Sequence, residues 1–109
     1  MDHALLARLN AGSREDRLSA LRDAVKHTVF PAADPRYINN HIHTQYSFSP
    51  YSPSAAVYAA RLEGLSTAGI IDHDSVSGVI EFLLAGQIAG LPVTTGVEVR
   101  VSMKGTPFE

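Results

Sequence analysis

Cysteine is absent from the 109 residues, which excludes disulfide staples, thiolate metal sites and a cysteine nucleophile. Any metal bound here would have only nitrogen and oxygen ligands. An excess of positive charge is missing too. Nine Lys and Arg stand against eleven Asp and Glu for a net charge of -2, and the basic residues are scattered, so a polynucleotide is not expected as a charge-driven partner. No apolar run reaches 18 residues, and the opening MDHALLARLNAGSREDR mixes acid and base with no signal-peptide core. Neither membrane spanning nor secretion is expected, and a cytoplasmic location is. Internal repeats and low-complexity tracts are also absent. The length is too short for a closed eight-unit barrel of about 250 residues. What remains, 45% hydrophobic and 18% charged, suits one soluble domain with a modest core.

Apolar residues at Leu5, Leu6 and Leu9, then at Leu18, Leu21 and Val25, predict two short amphipathic helices separated by Gly12. Ser13 with Asp16 three positions on forms a capping box with a shortened acid. Phe30 to Arg36, with Pro31 and Pro35, breaks the helical pattern and is expected to link a helical arm (1–36) to the body (37–109). Tyr37, Ile38 and Ile42 suit a short strand. After a Ser-, Tyr- and Pro-rich loop, Ser52 and Pro53 are placed as N-cap and first residue of a helix that Gly64 ends. Leu65 to Ile71 is expected as a second strand, and Asp74 or Ser75 as the cap of a helix closed by Gly90. From Leu91 onward Val93, Val97, Val99 and Val101 alternate with polar positions as in a third strand. The order β-α-β-α-β predicts a parallel sheet, in which sites gather at the carboxyl ends of strands.

Three polar clusters fall at those ends: His41-Ile42-His43-Thr44, Asp72-His73-Asp74 and Gly96-Val97-Glu98. On a regular strand, residues i and i+2 face the same side roughly 7 Å apart, so His41 and His43 present two imidazoles together. His73 lies between two aspartates, and a carboxylate beside a ligating imidazole fixes its tautomer and raises its basicity. Glu98 interrupts a valine-rich strand, where a buried carboxylate needs a cation or hydrogen bonds. Three imidazoles and a carboxylate suit zinc, manganese or iron. Each residue also has a plainer reading. The histidines fit a partly exposed strand, Asp72 or Asp74 a helix cap, and Glu98 with Arg100 a solvated face. The tyrosines and serines of residues 46–53 either line a pocket or pack a loop. His3 and His27, in the helical arm, are given no role.

The order and spacing His-x-His-Thr-x-x-Ser, helix, Asp-His-Asp-Ser-x-Ser-Gly, helix, Gly-x-Glu resembles the N-terminal part of the PHP (polymerase and histidinol phosphatase) domain family, over residues 38 to about 101. The resemblance implies an α/β fold, the N-terminal part of a distorted (β/α)7 TIM-like barrel preceded here by the helical arm. It implies two or three divalent metal ions in a complete site and hydrolysis of phosphate esters, with a small phosphorylated substrate as partner. By match to the motifs, His41, His43 and His73 look like metal ligands and Glu98 like the carboxylate that bridges metals. Asp72 and Asp74 would serve catalysis by orienting His73. Where many members carry an acidic or histidine ligand after the first-motif serine, this chain has Phe48 and Ser49. The later histidines and the Asp-x-His pair of the family lie beyond Glu109, so the chain is expected to need a C-terminal barrel half or further copies of itself. The enzyme reading is set against a non-catalytic metal-binding or structural module. An accessory module of a nucleic-acid enzyme is disfavoured by the scattered basic residues.

Overall fold

In the computed structural model of the chain, residues 3–46, 51–73 and 75–98 are described, with His73 and Glu98 described by their backbone placement. Helices α1 (His3–Asn10) and α2 (Arg14–Lys26) come first, followed by β1 (Asp34–Ile42), α3 (Pro53–Leu62), β2 (Leu65–His73), α4 (Val79–Ala89) and β3 (Val93–Glu98). The strands form a parallel sheet in the order β1-β2-β3. No helix among the described residues is long and apolar enough to cross a membrane.

Local chemistry sets most of the boundaries. Ser13 Oγ accepts from the Asp16 amide while Asp16 Oδ2 accepts from the Ser13 amide, each at 3.2 Å, which completes the capping box of α2. Ser52 Oγ accepts from the Ala55 amide, and Pro53 supplies a preset first helical residue for α3. Gly64 (φ 80°) and Gly90 (φ 68°) take the left-handed backbone that turns α3 and α4 back toward the sheet.

Two expectations need correction. Strand β1 starts at Asp34, so the last three residues of the expected linker, Asp34 to Arg36, belong to the strand. Pro35 is tolerated because β1 is an edge strand among the described residues, and pairing begins where the Asp34 amide donates to the Gly64 carbonyl. Helix α4 is capped by the backbone of Gly78 rather than by Asp74 or Ser75. Ser75 Oγ accepts from the Ser77 amide and closes the preceding turn instead, while Asp74 lies outside the described residues.

The helical arm shares the core with the body. Leu9, Leu18 and Leu21 are buried in one cluster with Ala55, Val57 and Tyr58 of α3, Ala68 and Ile70 of β2, and Phe82 and Ala85 of α4. At its centre the Arg17 and Glu81 side chains, 8% and 2% exposed, meet at 2.6 Å. Glu81 also accepts from the Ser54 amide and hydroxyl at 3.1 and 2.8 Å, and Arg17 donates to the Gly12 carbonyl. Hydrogen bonding to Glu81 raises the Arg17 pKa above the ordinary arginine value despite the opposing desolvation. α2, α3 and α4 therefore meet at one carboxylate.

Two packing predictions follow from these contacts. Glu81→Ala leaves a buried guanidinium unpaired and should lower stability by about 3–5 kcal/mol in urea unfolding. Asp23→Ala, which removes the exposed 3.2 Å contact with Arg8, should change it by less than about 1 kcal/mol. Equal losses would mean that the buried pair does not hold the helices together. At Gly69 on β2 an added Cβ would lie 2.5 Å from Thr94 Oγ1 and 2.8 Å from Asn40 Cα, whereas at Gly96 its nearest neighbour would be 3.6 Å away. Gly69→Ala is thus expected to cost about 1–3 kcal/mol and Gly96→Ala far less, as read from thermal unfolding.

Candidate metal centre

Because the three strands are parallel, their carboxyl ends lie along one edge of the sheet, and His41, Asp72, His73 and Glu98 sit at that edge. Register brings them side by side. The Cα of His73 on β2 pairs with that of Glu98 on β3, one step beyond Asp72 with Val97. On the other flank Ile42 pairs with Ile70, so the chain leaving β1 runs alongside the end of β2. Neighbouring strands are about 4.8 Å apart, so residues remote in sequence become neighbours here.

β1 does not reach this edge as a regular strand. Asn39 pairs with Ala68 and Ile42 with Ile70, so three steps on β1 span two on β2. The extra residue is a β-bulge, and it inverts the alternation of side chains. Asn40 lies against Gly69 and contacts Thr94 across it, whereas Ile42, two residues on, packs against the core. His41 lies within the bulge, its amide donating to Asn39 Oδ1 at 3.0 Å. The His41 and His43 rings still come together, with centroids 4.9 Å apart and planes at 85°. His41 is exposed and His43 half-buried with Nδ1 shielded from solvent, so the pair has one wet and one protected member.

Thr44, two residues past the end of β1, is tied to Asp72 on β2. Asp72 Oδ1 accepts from the Thr44 amide and Oδ2 from the Thr44 hydroxyl, both at 2.7 Å, with Asp72 1% and Thr44 0% exposed. Counting motif residues does not single out Thr44. Its signal is position, since it directly follows His-x-His and an aspartate precedes His73 on the neighbouring strand. The following loop is closed at its neck, where the Gln45 amide donates to the Tyr51 carbonyl at 2.7 Å. Tyr51 and His43 line a cleft of about 200 Å³ beside Ala56 and Ala60 of α3. Phe48 and Ser49 lie outside the described residues, as do Asp74 and the continuation of the third strand through Val99 and Val101.

The donor set fits a divalent cation in kind. The backbones of His73 and Glu98 are in register at adjacent strand ends, and the imidazoles of His41 and His43 are in ring contact. Among the described side chains no group of three His, Asp or Glu residues encloses a cation. His41 and His43 are brought together by their side chains, while His73 and Glu98 are adjacent by backbone register.

The family model of the PHP domain matches residues 39–109. A 5'-3' exoribonuclease of Haemophilus influenzae is 31% identical over 65 residues, covering 60% of this chain and 24% of that enzyme. A crystal structure from Bifidobacterium adolescentis, provisionally designated a metal-dependent phosphoesterase, is 32% identical with a TM-score of 0.57, covering 64% of this chain and 25% of that one. The chain thus spans about a quarter of the length of each.

Proposed function

This chain belongs to the PHP domain family, and on that premise we propose that it carries the N-terminal ligands of a divalent-metal site that hydrolyses phosphate esters. The observation that carries this reading is the convergence on one sheet edge. The paired rings of His41 and His43 stand at the end of β1, and His73 and Glu98 are in register at the ends of β2 and β3. In this reading His41, His43 and His73 supply imidazole nitrogen and Glu98 a carboxylate, while Asp72 and Asp74 fix the orientation of His73. Two or three ions of zinc, manganese or iron would complete the site, supplying Lewis acidity toward a phosphoryl oxygen and activation of the attacking water. The protein's own part is positional: the strand register aligns the backbones of His73 and Glu98, and half-burial of His43 keeps one side of the site from bulk solvent.

The substrate proposed is a small phosphate ester, in keeping with the net charge of -2 and scattered basic residues. Similarity to an exoribonuclease makes an RNA phosphodiester the competing substrate. A second reading, a metal-binding or structural module without catalysis, is supported by Phe48 and Ser49 standing where many members of the family carry an acidic or histidine ligand.

Plasma mass spectrometry on the dialysed chain tests the ligand set. His43→Ala and Glu98→Ala should each lower the bound zinc, manganese or iron, while His27→Ala should leave it unchanged. Equal metal content in all three variants would remove the ligand assignment. Incubation of the metal-loaded chain with p-nitrophenyl phosphate and with a short RNA oligonucleotide separates the substrates, and turnover of neither with metal bound would favour the module reading.

A further inference from the structure

We propose that Asp72 is a positioning residue for the His41–His43 pair and acts on it through Thr44. This deepens the ligand reading above and rests on it, but assigns Asp72 a partner on β1 in place of, or beside, His73.

The need for such a device comes from the strand itself. β1 ends at Ile42, and the bulge before it puts His41 out of the regular ladder, so strand pairing does not fix the backbone that carries His43. What fixes it lies on either side. Ile42 is held by pairing with Ile70 and by packing against the core, and Thr44 is held by both oxygens of Asp72 at 2.7 Å. His43 sits between these two anchored residues, and its ring meets that of His41.

The clamp has the features of a rigid one. Thr44 and Asp72 are almost completely buried, and hydrogen bonds to a carboxylate are roughly twice as strong as neutral ones. The Thr44 hydroxyl donates to Asp72 and also accepts from the Tyr46 amide at 3.4 Å, so it orders the first residues of the following loop as well. Asp72 immediately precedes His73, and the clamp therefore couples the β1 histidines to the next proposed ligand across a single peptide unit. A shift at the end of one strand is passed to the other.

The test separates positioning from simple stabilisation. Thr44→Val keeps the side-chain shape and removes the hydroxyl, Thr44→Ser restores it, and Thr28→Val removes another buried-side hydroxyl contact, with Tyr58 and the Ala24 carbonyl. Two quantities are read on the full chain: the imidazole cross-peaks of His41 and His43 in the metal-free protein by nuclear magnetic resonance, and zinc affinity by competition calorimetry. Thr44→Val is expected to displace both sets of cross-peaks and weaken zinc binding about 10–100-fold, the loss typical of partners that orient ligands. Thr44→Ser should return both to the parent values. Thr28→Val should lower the melting temperature and move neither. If Thr44→Val does not fold, Thr44→Ala, which also removes the hydroxyl, carries the same expectations.

A folded clamp variant with parent cross-peaks and parent zinc affinity would overturn the proposal, as would equal changes in Thr28→Val. A parent chain that binds no zinc would defeat the ligand reading, and the metal-free cross-peaks would still decide the role of Asp72.

Discussion

The buried Glu81 carboxylate is the point on which the helical layer depends. Removing an ion pair from water is costly, and the cost is offset only when the charges are close and the remaining lone pairs are satisfied. Both conditions are met: two Arg17 nitrogens and the amide and hydroxyl of Ser54 donate to this one group. The Ser54 amide belongs to the first turn of α3, where a negative charge is favoured by the helix dipole. The carboxylate thus fixes the start of α3 from α4 and α2 at once. Ser52, the cap of α3, is tied in turn to α1, its hydroxyl donating to the Leu9 carbonyl and its amide to Asn10 Oδ1. The far end of the loop that leaves His43 and Thr44 is therefore anchored by helices outside the family-matched segment.

The site edge obeys a different constraint. Parallel strands align their ends without help, but β1 shifts register against β2 at two places, and the carboxyl end of an edge strand is the least restrained part of a sheet. Buried hydrogen bonds from Asp72 take the place of ladder pairing there. Gly69 contributes from beneath, since its lack of a side chain lets Asn40 and Thr94 approach each other over β2. These small features decide how the first and third strands sit relative to the second.

What was legible in the sequence was what short-range chemistry determines. Ser13 with Asp16, Ser52 with Pro53, and the glycines at 64 and 90 act on residues within one helical turn, and each sits where the pattern puts it. The parallel order of strands and helices was legible for the same reason. The start of β1 was not, because the prolines at 31 and 35 read as a break and the pairing with Leu65 comes from another part of the chain. Gly78 caps α4 because Pro53, Ile70 and Tyr46 crowd around it, a tertiary effect that favours a residue with no side chain. The candidate ligands were visible as residue types, but the bulge that governs His41 was not, since counting alternate positions assumes a regular strand. Glu81 left a visible sign, a single acid inside the apolar run Val79 to Leu84, and its partner Arg17 lies 64 residues away.

The shared core of the arm and the sheet has a consequence for how this module passes between proteins. The family match begins at Asn39, five residues inside the strand that starts at Asp34, and leaves out Arg17, Leu9 and Leu21. A piece inherited or excised at that border would keep every proposed ligand and lose the lid over its own buried acid. The family-matched segment is therefore smaller than the packed unit, and a recombination that moves it alone must supply a new cover for Glu81 from its host.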